Sequence, residues 1–268
     1  MLLFGAILVY ASVDFPAWGD PNAPASLHVS PYYIEHSMED TNVPNIVTSV
    51  LADYRGYDTM YETTVVLGAG LACFLLLRVF ETPQPKERMY RHLSTGIIIR
   101  ITDKSMKPEA PKVFERIDPL WTPHDLIIRT LSRFIIPFLQ IYALYVVAHG
   151  HHSPGGGFQG GVILGASIIL LAISYDLRTA IKRFREPLVS TLSPLGVFIY
   201  AGVGMLCLLL GRNFLDYGAL AQVLGVDPVM ARSHGILFVE IGVAIAVMAT
   251  MILIYYHVSS AGRHRQGL

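Results

Sequence analysis

The sequence predicts an all-α, polytopic membrane protein with about six transmembrane helices. Hydrophobic residues make up 53% of the 268 residues and charged residues only 15%, whereas a typical soluble domain carries about 25% charged residues. The mean hydropathy is +0.48, and the apolar residues fall in long uninterrupted blocks, which indicates a bilayer rather than a globular core. Basic and acidic residues number 20 each, so the composition gives no support for nucleic-acid binding.

Six apolar blocks are the candidate transmembrane helices, since a helix needs roughly 20 residues to cross the hydrocarbon layer. The first block is short for a span and reaches an acidic residue, Asp14. The fourth block is also short and begins in glycines. The six blocks are residues 2–15, 63–80, 126–148, 160–175, 188–210 and 235–257.

The distribution of basic residues predicts the orientation of these helices, because cytoplasmic loops retain lysine and arginine. Eleven of the twenty basic residues lie within residues 78–133, four lie within 178–185, and two lie in the tail after residue 260. With six spans and both the N- and C-termini cytoplasmic, all seventeen fall on the cytoplasmic side. The other three, Arg55, Arg212 and Arg232, fall on the outer side.

Two polar segments separate the apolar blocks in the first half of the chain. Residues 14–61 are acidic and contain several prolines and asparagines, which predicts a partly ordered loop outside the membrane. Residues 81–122 are rich in proline and lysine and contain one strand-like run at 97–101. We expect this second segment to be a cytoplasmic linker between two membrane units.

Residues 146–165, VVAHGHHSPGGGFQGGVILG, carry the most specific pattern in the chain. They contain a G-x-G-x-x-G match, but nucleotide binding through that motif requires a preceding strand, and helices are predicted on both sides here. Proline followed by three glycines is expected to end the third helix, and glycines spaced four apart then allow close helix packing. These helix-breaking and packing residues are Pro154, Gly155, Gly156, Gly157, Gly160, Gly161 and Gly165.

Three histidines, His149, His151 and His152, precede this proline. Imidazole is a common metal ligand, but no acidic residue or cysteine stands nearby in sequence to complete a site, and we predict no bound metal. The functional interpretation of His149 and His151 is a proton relay or a hydrogen-bonded cap at the membrane surface. The alternative is that they are solvated loop histidines, and the role of His152 stays open.

Three acidic residues at or within the apolar blocks are candidate ion-path residues. Glu240 falls inside the last block, where an ionisable group is costly unless it is paired or hydrated; the alternative is a protonated side chain that only bonds a neighbouring helix. Asp58 and Glu62 are four residues apart, so they share a helix face, and their oxygens suit a hard cation such as Na+. The alternative there is a helix start whose acids complement the helix dipole.

The stretch GHHSPGGGFQGG resembles the signature of the B subunit of multisubunit Mrp-type Na+/H+ antiporters, the MnhB family, which has the form G-H-x-x-P-G-G-G-F-x-G-G. The matching residues are Gly150, His151, Pro154, Gly155, Gly156, Gly157, Phe158, Gly160 and Gly161. Residues 235–247, GILFVEIGVAIAV, are similar to the last helix of that family, so this resemblance covers about 123–260. Residues 44–66, PNIVTSVLADYRGYDTMYETTVV, are similar to the end of the antiporter A subunit, which stands as a separate E subunit in membrane-bound hydrogenases.

The resemblance implies a fusion of an E-like unit and a B-like unit, joined by a linker. A two-helix, E-like unit at 1–80 precedes the linker at 81–122 and a four-helix MnhB-like domain at 123–268. On this resemblance Asp58 and Glu62 match the acidic pair at the end of the A subunit. The implied role is that of a transporter subunit, not an enzyme, which contributes to translocation of Na+, H+ or both across the cell inner membrane and needs no cofactor.

The implied partners are the large antiporter-like subunits, the small C-, F- and G-like subunits, the lipid bilayer and, in a redox-driven complex related to complex I, a hydrogenase-like module. No lysine lies inside an apolar block, whereas the large subunits of this class use buried lysines for proton pumping. We therefore expect this subunit to be accessory to the ion path. The competing interpretation is a non-conducting scaffold that stabilises the interface between the larger subunits.

Overall fold

A computed structural model gives the fold and describes residues 2–79, 88–101, 113–117 and 126–260. The described chain is mostly helical, which confirms the predicted fold class. The α-helices are α1 (Leu2–Ala11), α2 (Ser30–Thr41), α3 (Ile46–Ser49), α4 (Gly56–Val79), α5 (Leu126–Ala148), α6 (Gly157–Ser174), α7 (Leu177–Arg183), α8 (Glu186–Leu209), α9 (Ala221–Leu224) and α10 (Pro228–Ser260). Short 3-10 helices lie at Ser12–Asp14 and Tyr217–Leu220, and π-helices lie at Ala25–Val29 and Val50–Tyr54.

Five of these helices, α4, α5, α6, α8 and α10, are long and apolar enough to cross a membrane. The segment predicted as a further span, residues 2–15, forms only the ten-residue α1 and a three-residue 3-10 turn. At about 1.5 Å per residue, α1 is roughly 15 Å long, about half the thickness of a hydrocarbon core. Within the described residues, five of the six predicted spans are therefore long enough to cross a membrane, and the sixth is a shorter apolar helix.

Helix boundaries in the second half of the chain follow local backbone chemistry. α5 ends at Ala148 and α6 begins at Gly157, so the chain reverses direction through the segment that contains Pro154. Asp176 caps α7, since its side chain accepts a hydrogen bond from the Thr179 amide at 2.5 Å. Such caps satisfy amides that have no partner within the helix.

α10 is the central helix of the bundle and packs against α4, α6 and α8. It has 33 residues, which at about 1.5 Å each makes it longer than a bilayer core is thick, and it begins before the predicted start at residue 235. In the most apolar stretch of α10, 61% of the residues are buried, whereas only 6% are buried in the corresponding stretch of α4. α10 thus forms the core of this chain, and α4 leaves most of its surface free for other contacts.

The acidic segment 14–61, predicted as a partly ordered loop, is largely helical and docks on the bundle. It contains α2, α3 and both π-helices. The Tyr200 hydroxyl donates a hydrogen bond to the Gly56 carbonyl, and the Tyr217 hydroxyl donates one to the Ala52 carbonyl, each at 2.9 Å. The loop prediction was wrong because proline and asparagine counts do not reveal these tertiary contacts.

The segment predicted as a linker contains a small antiparallel sheet with the strand order β2-β1-β3. The strands are β1 (Arg88–His92), β2 (Ile98–Ile101) and β3 (Phe114–Ile117). β2 confirms the strand-like run predicted at 97–101, but the sequence did not predict its partners, because the charged run RMYRH lacks the alternation typical of a strand. The rest of 81–122 lies outside the described residues.

Candidate functional site

Glu240 on α10 is the acidic residue around which the site is built. It is 8% exposed, and its Oε2 atom has no hydrogen-bond partner. A carboxyl group inside the apolar part of a membrane protein is costly unless protein groups or bound water compensate it. The surroundings of Glu240 therefore decide whether it is charged, protonated or both in turn.

The amino terminus of α6 supplies part of that compensation. The backbone amide of Gly157, the first residue of α6, hydrogen-bonds the Glu240 carboxylate. The first amides of a helix have no partner within it, and the helix dipole places partial positive charge there. Because Gly156 at the N-cap position has no side chain, Glu240 from another helix acts as the cap of α6.

Three glycines enclose the Glu240 carboxylate, and each position excludes a side chain. A Cβ atom at Gly150 would lie 3.0 Å from Oε2 of Glu240 and 2.8 Å from Cα of Gly156. At Gly156, whose φ is +123°, a Cβ atom would lie 2.6 Å from Oε1. At Gly157 it would overlap the main-chain carbonyl of Glu240. The glycine-rich turn thus brings backbone directly against the carboxylate.

The remaining glycines of the motif hold α6 against its two neighbours. A Cβ atom at Gly161 would lie 2.7 Å from the Ala244 carbonyl oxygen of α10, and one at Gly165 would lie 3.3 Å from Cβ of Met251. Gly160 faces the other way, since its Cβ atom would lie 3.0 Å from the Ala143 carbonyl oxygen of α5. Gly155 lies over the last turns of α5, where its Cβ atom would be 2.9 Å from the Val146 carbonyl oxygen. These contacts fix the position of the first residue of α6 along α10, and therefore its position relative to Glu240.

The two candidate histidines differ in environment. His149 is exposed, and its ring stacks on Tyr145 with 4.1 Å between centroids. His151 is half-buried, and its Nε2 atom has no hydrogen-bond partner. Burial, reinforced by His152 and His234, lowers the pKa of His151 below its ordinary value of 6.5. Nε2 of His151 and Oε2 of Glu240 are the two buried side-chain atoms without a partner in the part of the chain that the structure describes.

Asp58 and Glu62 lie near the start of α4, apart from the Glu240 carboxylate. Both are exposed, and Asp58 pairs with Arg55 at 2.5 Å. The Tyr200 hydroxyl lies within electrostatic range of Glu240, Asp53 and Glu62. The structure therefore does not join Asp58, Glu62 and Glu240 into one cluster, but both Glu62 and Glu240 lie within electrostatic range of the buried Tyr200.

An ion-pair cluster that the sequence did not predict ties the π-helix Val50–Tyr54 and the residue before the 3-10 helix Tyr217–Leu220 to α10. Arg232 binds Asp53 at 3.1 Å and Asp216 at 3.3 Å. Burial raises the pKa of Asp53 to about 6, although Arg232 opposes this shift. Nearby, the Tyr54 hydroxyl donates to Asp40 at 2.6 Å. The sequence did contain a signal for this ion pair. Arg232 is one of only three basic residues on the predicted outer side, where acidic residues are common.

We expect Asp53 to give this cluster a pH-dependent stability. Because the pKa of Asp53 is raised from 3.8 to about 6, the folded state holds its proton more tightly than the unfolded state. The stabilisation is complete below about pH 4 and is lost as the pH rises through 6; its upper limit is about 3 kcal/mol. The wild-type Tm should therefore fall between pH 4 and 7 by more than that of Asp53→Asn.

Asp216→Asn is the matched control, since it removes the other carboxylate that binds Arg232. The Tm of each purified protein is measured in detergent by differential scanning fluorimetry at several pH values. Parallel pH profiles for the wild type and Asp53→Asn would contradict the prediction.

Within the described ranges, no three His, Cys, Asp or Glu side chains come together as a metal ion would require. The chemistry that the site offers is instead that of a single carboxyl group. Its carboxylate accepts a hydrogen bond from the terminus of α6, where the helix dipole favours negative charge, and its other oxygen is unpartnered. Such a group is suited to taking up and releasing a proton.

Two families match the chain. Residues 127–253 match the family described as "Domain related to MnhB subunit of Na+/H+ antiporter", and residues 3–90 match MbhE, the family of the MBH E subunit. Five helices long and apolar enough to cross a membrane make the chain a multi-pass membrane protein, and its second half is similar to the MnhB-related domain of antiporter subunits. The region that matches MbhE precedes the region that matches MnhB, which confirms the resemblance drawn from the sequence motifs.

Relatives of known name support the same assignment. The Na(+)/H(+) antiporter B subunit of Bacillus subtilis (strain 168) is 29% identical over 142 residues, which are 48% of this chain and 93% of that protein. The probable K(+)/H(+) antiporter A/B subunit of Rhizobium meliloti (strain 1021) is 26% identical over 235 residues, 84% of this chain. The chain spans only 22% of the length of the Rhizobium protein.

Solved structures share the fold. A chain of the Mrp complex from Dietzia sp. DQ12-45-1b matches with a TM-score of 0.56 at 25% identity, over 93% of this chain and 25% of that one. A chain of the membrane-bound sulfane sulfur reductase, an archaeal respiratory membrane complex, matches with a TM-score of 0.56 at 23% identity, over 94% of each chain. The second match concerns the fold alone.

Proposed function

We propose that this chain is a subunit of a multisubunit Mrp-type cation/proton antiporter complex, or of a related redox-driven ion pump, in the plasma membrane. The observation that carries the proposal is the Glu240 carboxyl group, which is buried, capped by the terminus of α6 and left with one unpartnered oxygen. It lies in the domain that matches antiporter B subunits. Glu240 binds and releases a proton during the exchange of H+ for a cation.

The proton route continues from Glu240 toward α4. Tyr200, which is fully buried, lies within electrostatic range of both Glu240 and Glu62. Glu62 itself is exposed on α4, a helix long and apolar enough to span the membrane. Because an uncompensated carboxylate facing lipid is costly, Glu62 faces a neighbouring subunit or a water-filled passage between subunits. His149 and His151 lie at the outer mouth of the route, beside the glycine turn.

The partners of this chain are the large antiporter-like subunits and the small C-, F- and G-like subunits, and the weakly buried α4 is the surface that meets them. Only 6% of the residues in the most apolar stretch of α4 are buried within this chain. The translocated ions are H+ and Na+ or another monovalent cation; the named relatives include one Na(+)/H(+) and one probable K(+)/H(+) protein.

Exchange in everted membrane vesicles tests the proposal. A strain lacking the chromosomal copy is complemented with the wild type, Glu62→Gln or the control Glu35→Gln, which changes an exposed residue of α2. A pH-sensitive dye then reports proton movement when Na+ or K+ is added, and native gels report assembly. We expect Glu62→Gln to lower exchange and Glu35→Gln to leave it unchanged.

The same vesicles separate the two candidate complexes and the scaffold alternative. Exchange driven by an imposed pH gradient, with no electron donor present, identifies a secondary antiporter; exchange only during electron transfer identifies a redox-driven pump. If Glu62→Gln and Glu240→Gln both leave exchange intact in an assembled complex, the chain is a scaffold and not part of the ion path.

A further inference from the structure

The turn between α5 and α6 exposes three main-chain carbonyl groups that receive hydrogen bonds from the other unit of the chain. The Asn45 side-chain amide donates to the carbonyl of Gly150 at 2.8 Å and to that of Ser153 at 2.9 Å. The Asn45 main-chain amide donates to the carbonyl of His151 at 2.9 Å. The Thr48 hydroxyl also donates to Gly150, at 2.8 Å.

Asn45 and Thr48 are held ready for these bonds by α3. The Asn45 Oδ1 atom accepts a hydrogen bond from the Val47 amide at 3.1 Å and so caps α3. The Asn45 amide also reaches the Thr48 hydroxyl at 3.0 Å, and Thr48 is 4% exposed. Buried or half-buried donors that are fixed in this way also fix the acceptors that they bind.

The carbonyl that receives two of these bonds belongs to Gly150, which packs close to Glu240. Gly150 lies so close to Glu240 that a Cβ atom there would be 3.0 Å from Oε2, the oxygen without a partner. The same Cβ atom would lie 2.8 Å from Cα of Gly156, which precedes α6. A shift of the Gly150 main chain would therefore open the space beside the carboxylate.

We propose that Asn45 and Thr48 form a latch across the two units, which holds the turn closed over Glu240 and sets how readily solvent reaches that carboxyl group. The latch residues are positioning residues, because they act through the Gly150 main chain and do not touch Glu240. The latch lies between the region that matches the MBH E subunit and the region that matches the MnhB domain. A movement of the first unit against the second would change access to Glu240. This inference rests on the proposed function of Glu240 as a proton-binding group.

Two substitutions weaken the latch by removing its side-chain hydrogen bonds while leaving the rest of α3 in place. Asn45→Asp keeps an N-cap acceptor of equal quality but replaces the donating amide with a carboxylate that repels the two carbonyl oxygens. Thr48→Val removes the hydroxyl with little change in shape. Ser49→Ala is the matched control, because Ser49 is buried on the same helix but bonds only within its own unit, to Thr41, Val43 and Asn45.

The first measurement is the rate at which a water-soluble carbodiimide, applied from the outer side to the assembled complex, labels Glu240, read by peptide mass spectrometry. We expect labelling to be faster by about tenfold in Asn45→Asp and by a smaller factor in Thr48→Val, which is the range that the loss of one or two net hydrogen bonds allows. Ser49→Ala should label at the wild-type rate. Equal rates in Asn45→Asp, Thr48→Val and the wild type would overturn the latch, as would an equal increase in Ser49→Ala.

The second measurement is the pH profile of cation/proton exchange in vesicles. Latch variants that assemble should shift the profile, because Glu240 meets a wetter environment, whereas a general loss of stability would lower exchange at every pH without a shift. The labelling rate does not depend on transport. If Glu240→Gln exchanges normally, the proposed function fails and the labelling experiment still decides whether the latch exists.

Discussion

Replacing Glu240 with glutamine is expected to lower cation/proton exchange by about tenfold or more without loss of the assembled complex. Glutamine has nearly the same shape, so its side-chain oxygen still accepts the hydrogen bond from Gly157. It cannot take up or release a proton at any physiological pH, and a positioned proton carrier contributes roughly two to four orders of magnitude to reactions that depend on it. The loss should therefore fall on exchange rather than on folding.

Glu240→Asp provides the graded comparison. Aspartate keeps the titrating group but is shorter by one methylene, which withdraws the carboxylate from the terminus of α6. We expect exchange between that of the wild type and that of Glu240→Gln. Exchange is measured with a pH-sensitive dye in everted vesicles that contain equal amounts of assembled complex. Wild-type exchange in Glu240→Gln would show that this carboxyl group is only a helix cap.

Gly157→Ala is expected to be the most disruptive single-methyl change in the described chain. A Cβ atom at residue 157 would overlap the Glu240 carbonyl and would lie 2.7 Å from its carbonyl carbon and 2.9 Å from its Cα. Main-chain atoms on two packed helices cannot yield locally, so α6 and α10 must separate. Overpacking of this kind costs about 3 kcal/mol, and the separation also withdraws the Gly157 amide from Glu240.

Gly202→Ala is the control for the Gly157 prediction. Gly202 lies within α8, and a Cβ atom there would meet nothing within 4 Å. Alanine should therefore leave stability unchanged or raise it by up to about 1 kcal/mol, because alanine favours helix over glycine. The Tm of the purified protein in detergent distinguishes the two variants. A Gly157→Ala variant as stable as the wild type would mean that α6 and α10 are not packed as closely as the structure shows.

The helices were predictable from the sequence because a transmembrane helix depends on length and hydropathy alone. The block 126–148 agrees with α5, Leu126–Ala148, at both ends. The block 2–15 was assigned as a span on hydropathy, although its helix has only ten residues. The strand partners of β2 and the helices within residues 14–61 depend on contacts between distant residues, which composition and turn signals do not encode.

The residues of the candidate site could be predicted from the sequence, but their contacts with one another could not. Glu240 stood out as an acid in an apolar block, and the glycines stood out by spacing, yet nothing in either pattern indicates that Gly150, Gly156 and Gly157 enclose the Glu240 carboxylate. Their meeting depends on how α6 packs against α10. The ion pair between Asp53 and Arg232 likewise joins residues separated by 179 positions, and the latch joins Asn45 to a turn 105 residues away.

Labelling of Glu240 by a hydrophobic carbodiimide tests most directly whether this carboxyl group takes part in ion exchange. Such reagents modify protonated carboxyl groups in apolar surroundings, and peptide mass spectrometry gives the modified fraction of Glu240 while the same vesicles give the rate of exchange. Our interpretation predicts that labelling falls as the pH rises and that exchange declines in proportion to the labelled fraction of Glu240, with Glu240→Gln insensitive to the reagent. Full exchange by a complex whose Glu240 is completely labelled would contradict it and leave the chain as a scaffold.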